Sequence, residues 1–244
     1  MIVIIKNIFK KILPISIYRK LVDLYWWGNG RIFKYNFLPN GYAAFNYIYK
    51  ENYWESGSGL GSHPDATINY RGILENFITE YSIRSIVDLG CGDWQFSRYV
   101  KWGNVNYIGY DVVQDVIEAN ISQYATPNIS FIHLRPEEIG TIKEADLFIA
   151  KEVFQHLPND EIKSILDIAL LKYKYLLVTD VISANGYESI NDDIKFGYFR
   201  CVDITRPPFS FEAKWSKNID FSTKYGDMKW KVTLICNEQN ICEK

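Results

Sequence analysis

Residues Ile86 to Ser97, read Ile-Val-Asp-Leu-Gly-Cys-Gly-Asp-Trp-Gln-Phe-Ser, leave this chain few ways to fold. The run Ser85-Ile86-Val87 ends in an acid, Asp88, and breaks at Gly90-Cys91-Gly92 before a segment able to start a helix at Phe96. A strand, a glycine turn and a helix start, in that order, form the junction at which open α/β sheets take nucleotide-like ligands. Gly90 and Gly92 lack a Cβ, so the backbone can adopt positive φ and a ligand can press on the peptide plane. The helix behind the turn offers N–H groups without intrahelical partners. Three positions beyond Gly92 stands Gln95 rather than glycine, which disfavours a dinucleotide pyrophosphate cradle.

The segment Val87-Asp88-Leu89-Gly90-Cys91-Gly92 resembles the first motif of class I S-adenosylmethionine (SAM) dependent methyltransferases. The resemblance implies that the glycine turn packs against the methionine part of SAM and that an acid ending the second strand holds the ribose hydroxyls. Tyr107-Ile108-Gly109-Tyr110-Asp111 supplies that strand and acid, and a carboxylate can accept from both cis hydroxyls at once. Cofactor-side candidates are thus Asp88, Gly90, Cys91, Gly92, Trp94 and Gln95 in the turn, and Asp111 and Val112 after the second strand. After the third strand, Leu134-Arg135-Pro136-Glu137-Glu138 lacks the family's usual acid for the adenine amino group, leaving Glu137 or a backbone carbonyl as substitute and Arg135 as an exposed residue.

Strands alternate with helices from Ser85 onward, the pattern of a parallel sheet covered on both faces. Strands are predicted at 85–89, 106–110, 129–133, 146–150 and 174–180, and helices at 95–101, 113–123 and 159–171, the last with Asn159 as N-cap and Asp160 and Glu161 in its first turn. Segments 211–216 and 229–236 alternate like two antiparallel strands. The resemblance implies a Rossmann-like α/β fold, a seven-stranded, mostly parallel sheet whose last strand is antiparallel. At 244 residues and 48% hydrophobic, the chain has enough apolar material for one large core.

Before the sheet the composition changes. Residues 1–53 read as a helical extension to a catalytic domain at 54–244. Between Met1 and Tyr35 stand Lys6, Lys10, Lys11, Arg19, Lys20, Arg31 and Lys34 against the single acid Asp23, with Ile4, Ile5, Ile8, Phe9, Ile12 and Leu13 at helical spacing. Such a basic amphipathic helix either lies on an anionic membrane surface or covers the domain or a dimer partner. The apolar run is too short for a signal core or a membrane span. Tyr42 to Tyr53 reads as an aromatic helix, and Trp54-Glu55-Ser56-Gly57-Ser58-Gly59-Leu60-Gly61-Ser62 as a linker or a lid over the ligand. Thr67 to Tyr81 reads as a helix with Ile68, Leu74, Phe77, Ile78 and Tyr81 as its apolar set. Arg71 on it either reaches the cofactor carboxylate or is a surface arginine.

A net charge of −2 excludes a nucleic-acid binder of the strongly basic kind. Cys91, Cys201, Cys236 and Cys242 show no zinc spacing and read as reduced thiols of a cytoplasmic protein.

The fourth strand continues into Lys151-Glu152-Val153-Phe154-Gln155-His156-Leu157-Pro158, similar to the family segment that borders the methionine moiety and the methyl group. Lys151, Glu152 and His156 are therefore the titratable groups nearest the reacting centre. Asn191 to Phe209, with Asn191, Asp192, Asp193, Tyr198, Arg200 and Asp203, is polar and irregular, and the fold places it over the methyl as the acceptor site. Its N-x-D-I-x-x-G-x-x-R-x-x-D-x-T-x-P-P-F pattern, with the W-x-S-G-x-G-S loop, resembles a bacterial subgroup of surface-polysaccharide biosynthesis. The resemblance implies a SAM-dependent O-methyltransferase for a sugar or sugar nucleotide of a capsule or lipopolysaccharide, made at the inner face of the membrane. The alternatives are a small-molecule N- or O-methyltransferase and a noncatalytic SAM-binding module. A sugar hydroxyl needs a base to remove its proton. Candidates are Glu152, His156, Asp180, Asp192 and Asp203, with His156 favoured for its unperturbed pKa near neutrality. Asp180, Asn191, Asp193, Tyr198 and Arg200 are the acceptor-binding candidates, and Asp192 with Asp193 reads as a solvated pair rather than a magnesium site.

Overall fold

A computed structural model of the chain describes residues 38–39, 41–54, 56–184, 189–223 and 226–237. The basic helix expected at the N-terminus lies outside them. Residues Asn40–Lys244 form one compact unit. Its seven strands are β1 (Ser85–Leu89), β2 (Asn106–Asp111), β3 (Ile129–His133), β4 (Ala145–Lys151), β5 (Tyr173–Ala184), β6 (Trp215–Thr223) and β7 (Gly226–Cys236). They form one sheet in the order β3-β2-β1-β4-β5-β7-β6. Strands β1 to β5 run parallel, and β7 enters antiparallel to both β5 and β6. The expected mostly parallel seven-stranded sheet with an antiparallel last strand is what the chain forms. Strand order reverses between β1 and β4, so the crevice outside their carboxyl ends is where such a sheet binds its ligand.

The described α-helices are α1 (Ala43–Lys50), α2 (Ile68–Glu80), α3 (Gln114–Tyr124) and α4 (Asn159–Lys172). In α2, Tyr70, Leu74, Phe77 and Ile78 are buried one helical turn apart, whereas Ile68, expected in the apolar set, is 59% exposed. Tyr70 takes its place in the core. Among the described residues no helix is long and apolar enough to cross a membrane.

Register decides which side chains meet at the strand ends. Asp88 pairs with Gly109 and Ile149, Lys151 with Thr179, and Val181 with Trp230. Side chains two apart share a face, so Asp88, Asp111, Lys151, Thr179 and Trp230 all stand on one side of the sheet. Tyr70 from α2 lies on the same side, its ring 5.6 Å from the Lys151 ammonium. Asp180 stands on the other.

Three expectations need correction. The helix predicted at 95–101 shrinks to a 3₁₀ turn at Ser97–Tyr99. Trp94 sits at φ +56° with its ring among Tyr107, Tyr124 and Phe131, and Trp102 donates its indole N–H to the Ser97 carbonyl at 2.9 Å. Burial of these rings outweighs the local helical pattern. The strand predicted at 211–216 begins only at Trp215, because Phe209 and Ser210 bond back to Arg206, and Phe211 to Ile204. Asn159 does not cap α4: Pro158 precedes the helix without a side-chain cap, and the Asn159 side chain braces the neighbouring insertion.

Candidate active site

The glycine turn is built onto the end of β2. Gly90 and Cys91 both donate to the Tyr110 carbonyl, at 2.8 and 3.0 Å. Gly92 donates to one Asp111 carboxylate oxygen and Val113 to the other, each at 3.0 Å. Asp111 is thereby oriented by two backbone amides, and each of its oxygens keeps a lone pair for a further donor. Burial pushes its pKa up, and the bonds from Val113 and Gly92 work against that rise. Asn120 closes the turn from α3, donating to the Gly92 carbonyl at 2.7 Å.

Both glycines have positive φ, as the turn requires. The space that their missing Cβ atoms leave, however, belongs to the chain itself. A Cβ at Gly90 would come 2.6 Å from Val153 Cγ2, and one at Gly92 would overlap the Ser58 hydroxyl and reach within 3.1 Å of the Tyr49 hydroxyl. The missing Cβ atoms thus also let β4's extension and the Gly/Ser loop pack closely on the turn.

That loop is held, not loose. Ser58 Oγ donates to Asp93 at 2.6 Å, accepts from the Asp93 N–H at 2.9 Å, and lies 2.7 Å from the Tyr49 hydroxyl. Gln95 donates to the Ser56 carbonyl at 2.7 Å, and Lys151 to the Gly61 carbonyl at 3.0 Å. A Cβ at Gly57 would overlap Asp93, and one at Gly61 would overlap the Glu152 carboxylate, so glycine at both positions lets the loop close on two acids.

Lys151 and Glu152 form a pair at 2.6 Å at the mouth of β4. The Lys151 ammonium also lies 4.4 Å from the Trp230 ring and 5.1 Å from Phe96, faces that attract a cation. Alternation alone would send Glu152 to the opposite face, but its φ of +57° turns it back, and its second oxygen accepts from the Trp230 indole at 2.9 Å. Non-glycine residues in this conformation concentrate at functional sites. Beneath them Asp88 accepts from the Tyr107 hydroxyl at 2.7 Å; burial raises its pKa to about 7 even against Tyr107 and Lys151.

On the other face, Asp180 accepts from the Gln155 N–H at 3.1 Å through Oδ1, while its Oδ2 is buried and has no partner. Burial drives its carboxyl well above the usual range. His156 donates Nδ1–H to the Tyr198 carbonyl at 2.9 Å, which leaves Nε2 to accept from the Gln155 amide at 3.3 Å. Its ring packs on Trp54 with centroids 4.9 Å apart. Burial lowers its pKa to about 4, so it is neutral at physiological pH and a weak base.

The insertion after β5 is tied together largely by its own side chains, the buried Arg200 Nε excepted. Asn191 donates to the carbonyls of Asp203 and Pro207 and accepts from the Asp203 N–H, at 2.8 to 2.9 Å. Arg200, 3% exposed, donates to the Leu157 carbonyl at 2.7 Å and to Asn159 at 2.8 Å. Burial raises the Asp203 carboxyl, but Thr205 and Lys231 outweigh it and hold the pKa below the usual range. The Lys231 ammonium is 2.9 Å away. Asp193 accepts from the Asn159 N–H, and Asp192 from Ser189.

The structure thus gathers Asp88, Asp111, Lys151 and Glu152 with the glycine turn, and brings Asp180 and His156 to the opposite side of the strand ends. Cys91 is buried under the turn beside Gly109, and Trp94 belongs to the core. The Val112 carbonyl accepts from His133 at 3.2 Å. Arg71 donates to the carbonyls of Pro64 and Tyr99, at 3.1 and 3.4 Å, tying down the loop before α2. Arg135 pairs on the surface with Glu137 and Glu138. Sequence reasoning missed Tyr49, Asp93 and Asn120. The acid that follows a glycine turn signals Asp93; nothing local signals the other two. Among the described residues no group of three or more His, Cys, Asp or Glu side chains could hold a metal ion.

No family model and no curated protein sequence matches the chain. Solved structures do. TehB from Haemophilus influenzae is 16% identical, with a TM-score of 0.52 over 68% of this chain and 62% of that one, so the likeness spans less than two thirds of TehB. The N-methyltransferase NodS from Bradyrhizobium japonicum WM9, in complex with S-adenosyl-L-homocysteine, is 13% identical, with a TM-score of 0.52 over 70% of this chain and 88% of that one. The fold is that of class I SAM-dependent methyltransferases.

Proposed function

We propose that this protein is a SAM-dependent methyltransferase that alkylates a hydroxyl of a sugar or sugar nucleotide, as in capsule or lipopolysaccharide assembly. The observation that carries the cofactor reading is Asp111, locked by the Gly92 and Val113 amides at the end of β2 with lone pairs left for two hydroxyls. The charge balance fits too. Asp88, Asp111 and Glu152 share their face with Lys151 alone as a buried cation among the described residues, a setting suited to a ligand of positive charge. When bound, SAM supplies a methyl group on a sulfonium, ready for in-line displacement. Asp111, the turn backbone and the Ser58 loop would hold it, the loop also keeping water out.

Asp180 is the group best placed to take the acceptor proton. Its Oδ2 is unpartnered, and although burial favours its neutral form, Arg200 and Lys151 favour the carboxylate that would accept the proton. His156, favoured on its unperturbed pKa, is reassigned to positioning the Tyr198 segment, because both ring nitrogens are engaged and its basicity is low. The hydroxyl acceptor rests on the resemblance of the insertion and of the Trp54 loop to the surface-polysaccharide subgroup.

Calorimetry with S-adenosylhomocysteine tests the cofactor reading: wild type binds, and Asp111→Ala weakens binding roughly 100-fold, the loss of about two charge-assisted hydrogen bonds. Unchanged affinity in the variant removes Asp111 from the site. A screen of nucleotide sugars for a one-methyl mass gain tests the acceptor; gain only on amines or carboxylates moves the protein to a different substrate class.

A further inference from the structure

The face that carries the glycine turn has more acid than it can neutralise. Asp88 and Asp111 are 5% and 7% exposed, and with Glu152, paired at the end of β4, they share this face with the single ammonium of Lys151. Tyr70, fully buried, sets its hydroxyl beside this group with the Thr179 hydroxyl near it but no well-formed hydrogen bond, and its own ionisation is suppressed first by burial, then by Asp88, with Thr179 working the other way and Glu152 adding to the rise. A buried donor left unpaired beside crowded carboxylates marks a polar site completed by something other than the protein. The groups facing Asp88 are Tyr107 and Asp111 on β2, Lys151 on β4, Tyr70 on α2 and Cys91 in the turn. Only Lys151 among them is a cation.

SAM and its product differ at one atom: the sulfur is a cationic sulfonium before transfer and a neutral thioether after it. Resting on the SAM reading above, we propose that the protein separates cofactor from product by a proton: binding of the sulfonium ionises Asp88, whose proton passes to solvent, whereas the thioether leaves Asp88 protonated. The only bond broken is the carboxylic O–H, and the positive charge gained from the sulfonium balances the one lost as the proton. The free carboxyl, held up near pH 7 by burial, sets where the exchange takes place. Below that pH the cofactor must displace a proton, so its affinity rises with pH and levels off above it. The product's affinity stays flat through the same range. Product release follows: once the methyl has left, only Lys151 and the Tyr107 hydroxyl offset the ionised Asp88 until a proton returns.

Isothermal titration of the full chain at pH 6.5, in phosphate and in a buffer of much larger ionisation enthalpy, measures the protons exchanged with SAM and with S-adenosylhomocysteine. The expected result is release of most of one proton with SAM and almost none with the product, with the SAM dissociation constant falling about tenfold from pH 5.5 to 6.5. Equal proton counts for the two ligands overturn the inference and leave the SAM site standing. Failure of both ligands to bind overturns the site itself. Two variants assign the proton. Asp88→Asn flattens the pH dependence of SAM affinity, and Tyr107→Phe, which removes the donor that steadies the ionised carboxylate, moves its midpoint to higher pH. A midpoint unmoved in both variants takes the proton away from Asp88.

Discussion

The insertion after β5 and the strand ends beside it are equally rich in polar side chains, yet they use them in opposite ways. In the insertion, Asn191 and Asp203 find protein partners for their side chains, and Arg200 is held through both terminal nitrogens while its buried Nε stays unpaired. At the strand ends, Asp180 buries a carboxylate oxygen with no partner, and the Thr179 hydroxyl has only the Tyr70 hydroxyl of α2 beside it. A satisfied network rigidifies and specifies a shape, whereas an unsatisfied buried group costs stability and is retained where chemistry needs it. The contrast teaches that the pattern Asn191 to Phe209 is a self-supporting frame, and that the buried carboxylate left without a partner stands beside it on β5; on the function proposed above, the frame shapes the acceptor site and the ends of β4 and β5 supply its reactive groups.

The sharpest way to break this contrast is at Asp180. Asparagine there keeps an oxygen for the Gln155 N–H and removes the proton-accepting carboxylate. Asp180→Asn should lower kcat roughly 100- to 1,000-fold, the usual worth of a general base, with an unchanged or higher melting temperature because a strained buried acid is gone. Wild-type turnover in the variant would return Asp180 to a structural role.

Asn191→Ala should do the reverse. It strips the amide that holds Asp203 and Pro207 and leaves alanine at a φ of +65°. We expect a loss of about 3 kcal/mol, read as a drop of roughly 10 °C in melting temperature, with S-adenosylhomocysteine affinity within about twofold of wild type. A parallel fall in affinity would mean that the two regions are energetically one.

His156 sits at the seam. Its folded pKa of about 4 lies below the unfolded value near 6.5, so the folded state resists protonation. Its stabilising contribution is fully present above pH 6.5 and is lost as the pH falls toward 4, about 3 kcal/mol across the window. Urea midpoints measured from pH 7 to 5 should fall in wild type and stay flatter in His156→Gln, whose amide can still donate to Tyr198. Equal slopes would exclude His156 as the source.

Much of this layout was legible in the chain, and the reasons are local. β1, its glycine turn and Asp111 declare themselves through a strand period broken by glycines and resumed by a second strand ending in acid. The seven-stranded, mostly parallel sheet with its antiparallel last strand followed from the fold that the resemblance implied. The helix at 95–101 was misread because its apolar spacing also suits rings that pack individually, and Trp94 at positive φ is invisible to periodicity. For Asn191, Arg200 and Asp203 the sequence leaves two readings open, holding the loop together or meeting the acceptor, because an asparagine that ties a loop and one that grips a substrate look alike until their partners are placed; the structure supplies the loop-tying partners. Tyr49 and Asn120 gave no signal, since each meets Gly92 only through folding.

The smallest expected effect tests whether the Gly/Ser loop belongs with the rigid frame or with the moving parts. Its seat on Asp93 is made mainly by one hydroxyl that donates to the carboxylate and accepts from the N–H of the same residue, beside a longer bond from the Ser58 N–H. Ser58→Ala removes both hydroxyl bonds, but Gln95 and Lys151 still hold the loop at Ser56 and Gly61. The loss is then about 1 to 2 kcal/mol of closure, enough for roughly a tenfold faster dissociation of S-adenosylhomocysteine with little change in melting temperature, because a surface loop opens below the global unfolding free energy. Stopped-flow dissociation reads it directly. If the rate is unchanged while the protein melts lower, the hydroxyl supports the glycine turn as part of the frame, and the line between satisfied scaffold and mobile site runs nearer to β4 than the Ser58 contacts suggest.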